Sequence, residues 1–292
     1  MDASEAESST VPDGACVSTL RTLDVIDTDI GQVLTEYKMN HKKRGLGLIF
    51  SHEHFNDEKL TPLPHTKVDS AKLERALKKL DFRVTIYKDL THLQIKAKIN
   101  DAAAQNHANR DCILVAFLTN GDDNDKIHAK DESYQLESIW QAFAADKCKS
   151  LAGKPKIFIV QACRGKRRET GYLISNAGSQ TETDGHAKIR SNYRIPCYSD
   201  FLIAFCTIPK HCSWGNTVEG SWFIHHLCAE LEANGRKLNM LHLLTFVAQR
   251  VSNCESYDEH QKQITCTMST LTRDLHLAEG THKMNFDAGA SA

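Results

Sequence analysis

The stretch "KIFIVQACRG", residues 156 to 165, decides how the rest of the chain is interpreted. Its four consecutive apolar residues, Ile157 to Val160, are typical of a strand buried on both faces of a parallel sheet. Cys163 and Gly165 follow at once, so this strand ends in a turn that carries a thiol. Reacting groups of parallel α/β sheets collect beyond the carboxyl ends of the strands, which makes Cys163 a candidate nucleophile. The alternative is a buried core thiol, the usual place of a free cysteine.

The same kind of apolar run recurs along the chain and predicts six strands. They fall at 44–50, 82–88, 112–118, 156–162, 200–206 and 261–269. Apolar residues at helical spacing predict helices near 68–80, 91–106, 134–143, 219–235 and 238–253. Strands that alternate with helices favour an α/β domain with a mostly parallel sheet and helices on both faces.

The composition excludes several classes of protein. The chain has 292 residues, 41% of them hydrophobic and 25% charged, with a net charge of −1, so neither a nucleic acid nor a membrane surface is an expected partner. The acidic start "MDASEAESST" is not a signal peptide. The ten cysteines are therefore expected to be reduced thiols of a cytoplasmic protein. No cofactor is indicated, and His52 and His54 alone are too weak a pattern for a metal site.

Two segments lack apolar periodicity and divide the chain. Residues 1–30 are polar and acidic, which predicts a disordered leader. Residues from about 166 to 195 combine Gly, Ser, Thr, Asn and charged side chains, which predicts a long mobile linker.

Blocks of sequence in a fixed order resemble the caspase family. They read "RGLGLIFSHEHF", "SLAGKPKIFIVQACRG", "TETDG", "DFLIAFCTIP", "SWGN", "EGSWFIHHLCAEL" and "KQITCTM". The resemblance covers roughly residues 37–277 and is closest to insect effector caspases with a short prodomain. It implies a three-layer sandwich around a six-stranded sheet and descent from apoptotic cysteine endopeptidases (peptidase C14). It also implies a prodomain at 1–30, a large-subunit-like part at 31–184 and a small-subunit-like part at 185–292.

The resemblance assigns the nucleophile position to Cys163 and part of the oxyanion hole to the backbone N–H of Gly121. The family has a general-base histidine just before that glycine, but this chain reads "FLTNGDD" and has Asn120 there. An amide cannot accept the proton, and a positioned acid–base group typically contributes about 10²- to 10⁴-fold to the rate. His211, in "PKHCSWGN", is left open as an unusual base. The histidines that the sequence does not favour are His52, His54, His107 and His128.

The resemblance also implies a pocket for the aspartate after which caspases cut, formed by two arginines and a glutamine. Gln161 supplies the glutamine. Leu63, in "LTPLPHTKVD", and Gly215, in "SWGN", stand where the arginines belong. Ser213 and Trp214 remain as substrate-groove residues. Without either arginine, a bound aspartate would be buried almost unpaired, which costs several kcal/mol.

Loss of the base and of both arginines favours a pseudo-caspase that regulates an active caspase in apoptosis. The alternative is a cysteine endopeptidase of weak or altered specificity that uses Cys163. In the family the strand at 261–269 pairs two catalytic units, so a heterodimer with an active caspase or a homodimer is expected there. Thr265 replaces the usual proline of that strand. Competition for caspase activators or inhibitors is a further route. Asp184, which ends an acidic tetrapeptide, is the predicted processing site.

Overall fold

The computed structural model describes residues 35–165, 167–168, 196–256 and 260–278. The strands are β1 (Lys43–Ser51), β2 (Phe82–Lys88), β3 (Arg110–Leu118), β4 (Lys126–His128), β5 (Ser133–Gln135), β6 (Lys156–Gln161), β7 (Phe201–Phe205), β8 (Gly215–Asn216), β9 (Gly220–Ser221) and β10 (Cys266–Ser269). The α-helices are α1 (Thr66–Lys79), α2 (His92–Ala103), α3 (Glu137–Trp140), α4 (Trp222–Asn234) and α5 (Met240–Asn253). Short 3₁₀ turns occur at Asp123–Asp125, Gln141–Phe143 and Lys149–Leu151.

Six strands form one sheet in the order β10-β7-β6-β3-β1-β2. All neighbouring pairs are parallel except β10 with β7, which is antiparallel. The predicted six-stranded, mostly parallel sheet is therefore confirmed. From β1 the chain first adds β2 on one side, and then adds β3, β6 and β7 on the other. This reversal opens a crevice beyond the carboxyl ends of β1 and β3, the usual place for a ligand in such a sheet.

Apolar side chains on the two faces of the sheet form two separate cores. Along β3, the even-numbered residues from Cys112 to Leu118 enter one core, and the odd-numbered residues from Ile113 to Phe117 enter the other. The first core is completed by α1, α4 and α5, and the second by α2 and the short turns between β5 and β6. The sheet is thus the middle of three layers, as predicted.

Two predicted elements are shorter than expected. The helix predicted at 134–143 is instead β5, the four-residue α3 and a 3₁₀ turn, because β5 pairs with β4 and holds the start of the segment extended. Leu136, Ile139 and Phe143 are nevertheless buried. Of the strand predicted at 261–269, Cys266–Ser269 is the part that pairs with β7. Before it, Gln263 uses its side chain to donate to the Cys206 carbonyl, at 2.7 Å.

Other predictions fall outside the described residues. They are the leader at 1–30, most of the linker at 166–195, and the processing site at Asp184. Within the part of the chain that the structure describes, no helix has the length and apolar character needed to cross a membrane. The nine cysteines among these residues are all free.

Candidate active site

The crevice beyond the sheet contains a cavity of about 160 Å³. The segments around it follow β1, β3, β6 and β7, whose carboxyl ends share one edge of the sheet. The cavity is lined by Leu63, His65, Thr66, Thr119, Asn120, Gln161, Cys163, Ser213, Trp214 and Gly215. The set includes every site residue assigned from the resemblance except Gly121 and Asp184, and Asp184 lies outside the described residues. The catalytic and binding roles of these residues stay predictions.

Gly121 packs directly against the backbone of Cys163. A Cβ atom built on Gly121 would be 2.1 Å from the Cys163 carbonyl oxygen and 3.0 Å from the Ala162 Cβ, so only glycine fits there. The turn after β3 therefore packs against the backbone that carries the thiol. This close approach is compatible with the oxyanion-hole role predicted for Gly121.

The Cys163 thiol is half-buried and is surrounded by hydrogen-bond donors. The Ser213 backbone N–H donates to Cys163 Sγ at 3.4 Å, and Ser213 Oγ lies 3.5 Å from the same sulfur. Gln161 Nε2 donates to Ser213 Oγ at 3.1 Å, which leaves the serine hydroxyl proton available for the sulfur. Contact with the Cys212 thiol, followed by these bonds from Ser213, lowers the pKa of Cys163 to about 6, although burial opposes the shift.

Asn120 takes the place of the general base but has a different partner. Its Nδ2 donates to the Thr61 carbonyl at 3.1 Å, in the segment that also carries Leu63. Among the described residues, no hydrogen bond joins this amide to the Cys163 thiol. The structure therefore gives Asn120 a role in holding the segment after β1, and its chemistry gives it none in proton transfer.

The structure does not support His211 as the unusual base. His211 is absent from the cavity lining, and its Nδ1 makes an exposed contact of 3.0 Å with the Pro209 carbonyl. The backbone explains this position, because the His211 carbonyl accepts from the Arg164 N–H and this bond fixes the backbone at His211. His65, which the sequence interpretation missed, is the histidine that lines the cavity. The sequence feature that could have indicated His65 is its position two residues after Leu63, in the segment "LTPLPHTKVD".

The histidines that the sequence did not favour have other partners. Burial lowers the pKa of His52 and of His107, whose Nε2 atoms contact the carbonyls of Leu90 and Ala102 at 3.0 and 2.9 Å. His128 Nε2 lies 2.7 Å from an Asp122 carboxylate oxygen. Among the described residues, no group of three or more His, Cys, Asp or Glu side chains is arranged to hold a metal ion.

Among the residues that the structure describes, no lysine or arginine lines the predicted aspartate pocket. Its lining includes Leu63 and Gly215 at the two arginine positions, and the buried Oε1 atom of Gln161 has no hydrogen-bond partner among the described residues. A buried acceptor that lacks a donor opposes a carboxylate brought next to it. Positions 63 and 215 therefore offer no cation to a bound carboxylate.

In the hairpin of β8 and β9, the backbone of β9 packs closely against Gly215, the second arginine position. Gly215 pairs with Ser221, and a Cβ atom on Gly215 would be only 2.8 Å from the Ser221 Cα. Ser221 is held in turn by the buried Asp69 carboxylate of α1, which accepts from its backbone N–H at 2.8 Å and from its hydroxyl. A side chain at position 215 consequently requires this hairpin to shift.

Gln263 connects the cavity to the edge of the sheet. Its Oε1 accepts from the Trp214 backbone N–H at 2.7 Å, while its Nε2 donates to the Cys206 carbonyl. Gln263 is buried and lies three residues before β10. Sequence interpretation missed it, because nothing in "KQITCTM" distinguishes a buried amide from an ordinary strand residue.

A first prediction concerns the reactivity of Cys163. Because its pKa is lowered to about 6, the thiolate predominates above that pH, and alkylation by iodoacetamide should reach half its maximal rate near pH 6. The rate is measured by mass spectrometry of the tryptic peptide 157–164, which contains no other cysteine. The exposed Cys197 serves as the internal comparison. A midpoint for Cys163 near the ordinary thiol pKa of about 8.5 would contradict the prediction.

Comparison with known proteins agrees with the fold. Residues 44–276 match the caspase domain, peptidase C14. The chain is 49% identical over 251 residues to caspase drICE of Drosophila melanogaster, covering 84% of this chain and 73% of that protein. It is 45% identical over 246 residues to caspase-1 of Spodoptera frugiperda, covering 82% and 80%.

The crystal structure of caspase-1 from Spodoptera frugiperda aligns with this fold at a TM-score of 0.79 and 41% identity, over 87% of this chain and 97% of that one. The resemblance seen in the ordered sequence blocks is thus supported over most of the chain. The cysteine at the end of β6, the three-layer fold and this extended similarity lead to one conclusion: the chain belongs to the caspase family.

Proposed function

We propose that this chain is a pseudo-caspase, which keeps the caspase fold and peptide groove but does not turn over aspartate substrates efficiently. The observation that carries the proposal is the composition of the cavity. It brings the Cys163 thiol together with Asn120, Leu63 and Gly215, which offer neither a general base nor a cation for the substrate carboxylate.

The missing general-base histidine is needed most for the step after the nucleophile attacks. A Cys163 thiolate can add to a peptide carbonyl, and the N–H groups of Gly121 and Cys163 can stabilise the resulting oxyanion. Collapse to a thioester requires a proton on the departing amine, which a histidine normally delivers. Asn120 cannot supply it. Attack is then followed by return to the starting peptide, and the thiol stays reactive while hydrolysis is slow.

A cysteine endopeptidase of weak or altered specificity is the second candidate, and two observations favour it. The lowered pKa of Cys163 makes the nucleophile available without a base, and His65 lines the same cavity. The two candidates are separated by assaying the purified chain against a peptide library. Turnover lost in both Cys163→Ala and His65→Ala variants would establish the peptidase, whereas labelling of Cys163 without turnover supports the pseudoenzyme.

We further propose that the chain regulates an active caspase in apoptosis by pairing through β10. In the part of the chain that the structure describes, this strand ends the sheet and pairs only with β7. Thr267, Met268 and Ser269 are exposed, and a free strand edge is a surface for adding another strand. Gln263, which lies just before β10, connects this edge to the groove through its hydrogen bond with the Trp214 backbone N–H. Competition for activators or inhibitors remains open as a second route.

A second prediction tests this pairing. Met268→Asp places a charge on the exposed edge and should reduce association with a co-expressed effector caspase, together with any change in that caspase's activity. Association is measured by co-purification and activity by cleavage of a fluorogenic peptide. Leu93→Asp is the matched control, because Leu93 is also exposed and apolar but belongs to α2. Equal association of the two variants would count against the β10 interface, and absence of association by the unmodified chain would remove the heterodimer.

Cleavage after Asp184 would separate the leader and large-subunit-like part, 1–184, from the small-subunit-like part, 185–292. We propose this processing from the acidic tetrapeptide alone. We propose the cytoplasm as the location, where its thiols would stay reduced. Intact-mass measurement after incubation with an effector caspase tests the cleavage, with Asp184→Ala as the control.

A further inference from the structure

Two cysteines lie on chain segments that are bonded side by side. Cys163 precedes Arg164, whose N–H donates to the His211 carbonyl at 3.0 Å, and Cys212 follows that histidine directly. Gly165 makes the contact possible. Its φ is +147°, and a Cβ atom there would lie 2.4 Å from the backbone of the facing segment. The backbone therefore holds the two thiols next to each other.

The two side chains lie close together on these segments. Cys163 Sγ accepts from the backbone N–H of Ser213, the residue directly after Cys212, and Cys212 Sγ lies 3.4 Å from the carbonyl oxygen of Gly165, two residues after Cys163. Both residues are half-buried, so small solutes reach them. Nothing in the proposed pseudo-caspase function uses Cys212.

The surroundings make the pair unsymmetrical. Cys163 Sγ receives the Ser213 N–H at 3.4 Å and lies 3.5 Å from its hydroxyl, whereas Cys212 faces a carbonyl oxygen. Negative charge is therefore favoured on Cys163, and the proton is favoured on Cys212. Accordingly the pKa of Cys163 is lowered, and contact with Cys163 raises the pKa of Cys212. Cys163 is therefore the nucleophilic thiolate, and Cys212 is the protonated thiol beside it.

We propose that Cys163 and Cys212 form a peroxide-sensitive thiol pair, in which a hydroperoxide oxidises Cys163 and Cys212 converts the product into a disulfide. The reaction is independent of the pseudo-caspase proposal, because it needs neither a general base nor an aspartate pocket.

In the first step the Cys163 thiolate attacks a hydroperoxide oxygen. A sulfur–oxygen bond forms, the oxygen–oxygen bond breaks, and the alcohol or water leaves after taking up a proton. Cys163 is now a sulfenic acid, two electrons more oxidised. Its negative charge is gone, so the contact that raised the pKa of Cys212 is removed. Cys212 then attacks the Cys163 sulfur, the sulfur–sulfur bond forms, and the hydroxyl leaves as water with the Cys212 proton. A dithiol reductant returns both thiols.

Cys206 is the other cysteine whose charge is coupled to Cys163, and it is a poor alternative partner. Its side chain is 0% exposed, its Sγ donates to the Ala162 carbonyl at 3.1 Å, and burial raises its pKa to about 12. It therefore provides a matched control that differs from Cys212 in burial.

The disulfide would alter the groove. It would join the end of β6 to the segment that carries Ser213 and Trp214, two residues of the cavity lining. It would also remove the Cys163 thiol from reaction with peptides or alkylating agents. Oxidation and reduction would thus switch the groove between a closed and a thiol-bearing form.

The test uses the full-length protein, reduced, freed of reductant and treated with an equimolar amount of hydrogen peroxide at pH 7. Remaining thiols are blocked with N-ethylmaleimide, and the protein is digested with trypsin without reduction. Cys163 falls in peptide 157–164 and Cys212 in peptide 211–236, which also contains Cys228. Fragment ions assign the linked cysteine. The variants are Cys212→Ser and Cys206→Ser, each checked for folding by thermal denaturation.

We expect the peptide with Cys163 linked to Cys212 to form in the unmodified protein and in Cys206→Ser, and to disappear with dithiothreitol. In Cys212→Ser the link should be lost, and Cys163 should instead be trapped as a sulfenic acid by dimedone. The proposal is overturned if Cys163 in the unmodified protein stays reduced, is trapped as the sulfenic acid without a link, or links to another cysteine. The unmodified protein alone decides this, even if a variant does not fold.

Discussion

Adding a histidine at position 120 to a variant with both arginines restored is expected to raise aspartate-directed peptidase activity by about 10²- to 10⁴-fold, the usual contribution of a positioned acid–base group. The comparison is between Asn120→His/Leu63→Arg/Gly215→Arg and Leu63→Arg/Gly215→Arg. Both bind aspartate through the same pocket, so the ratio of their kcat/KM values isolates the base. The physical reason is that a histidine both takes the thiol proton and returns it to the departing amine.

Two controls keep this result interpretable. Cys163→Ala in the triple variant should abolish the activity. The Gly215→Arg change requires the β8–β9 hairpin to shift, since a Cβ there approaches the Ser221 Cα to 2.8 Å. Peptide binding by the double variant is therefore measured first. Equal kcat/KM values for the double and triple variants, with binding intact, would falsify the assignment of position 120 as the missing base.

The unmodified cavity is expected to bind a peptide that ends in asparagine more tightly than the same peptide that ends in aspartate. The lining residues that the structure describes include no lysine or arginine, so burial of the carboxylate is expected to cost several kcal/mol. Since about 1.4 kcal/mol is tenfold in affinity, a preference on the order of 100-fold follows. The buried Oε1 of Gln161, which lacks a partner among the described residues, can accept from the asparagine amide.

The probes are the chain's own tetrapeptide, Thr181–Asp184, and its asparagine counterpart, both amidated and labelled for fluorescence polarisation. Leu63→Arg/Gly215→Arg is the matched control and should reverse the preference. Tighter or equal binding of the aspartate peptide by the unmodified chain would contradict the prediction. Failure of both peptides to bind would do so as well, because the cavity would then not be a peptide site.

Much of the fold could be predicted from the sequence because it depends on residue type and local spacing. A run such as "CILVAFL" is buried on both faces wherever the sheet is assembled, and β2 has the predicted bounds. The segment at 134–143 was harder, because the pairing of β5 with β4 is a contact between separate segments that apolar spacing does not encode.

The sequence by itself determined which side chains stand at three positions of the site. In any conformation, the amide of Asn120 cannot itself transfer the proton, and neither the isobutyl group of Leu63 nor the hydrogen of Gly215 can pair with a carboxylate. The ordered blocks also indicate the family without reference to any tertiary contact.

Only the tertiary structure decided which side chains meet. It brought His65 to the cavity and kept His211 away, joined Gln263 to Trp214, packed β9 against Gly215, and placed Cys212 close to Cys163. These contacts join segments that are separated along the chain by many residues. Their geometry depends on strand order and on backbone hydrogen bonds between those segments, which residue type and local spacing do not specify.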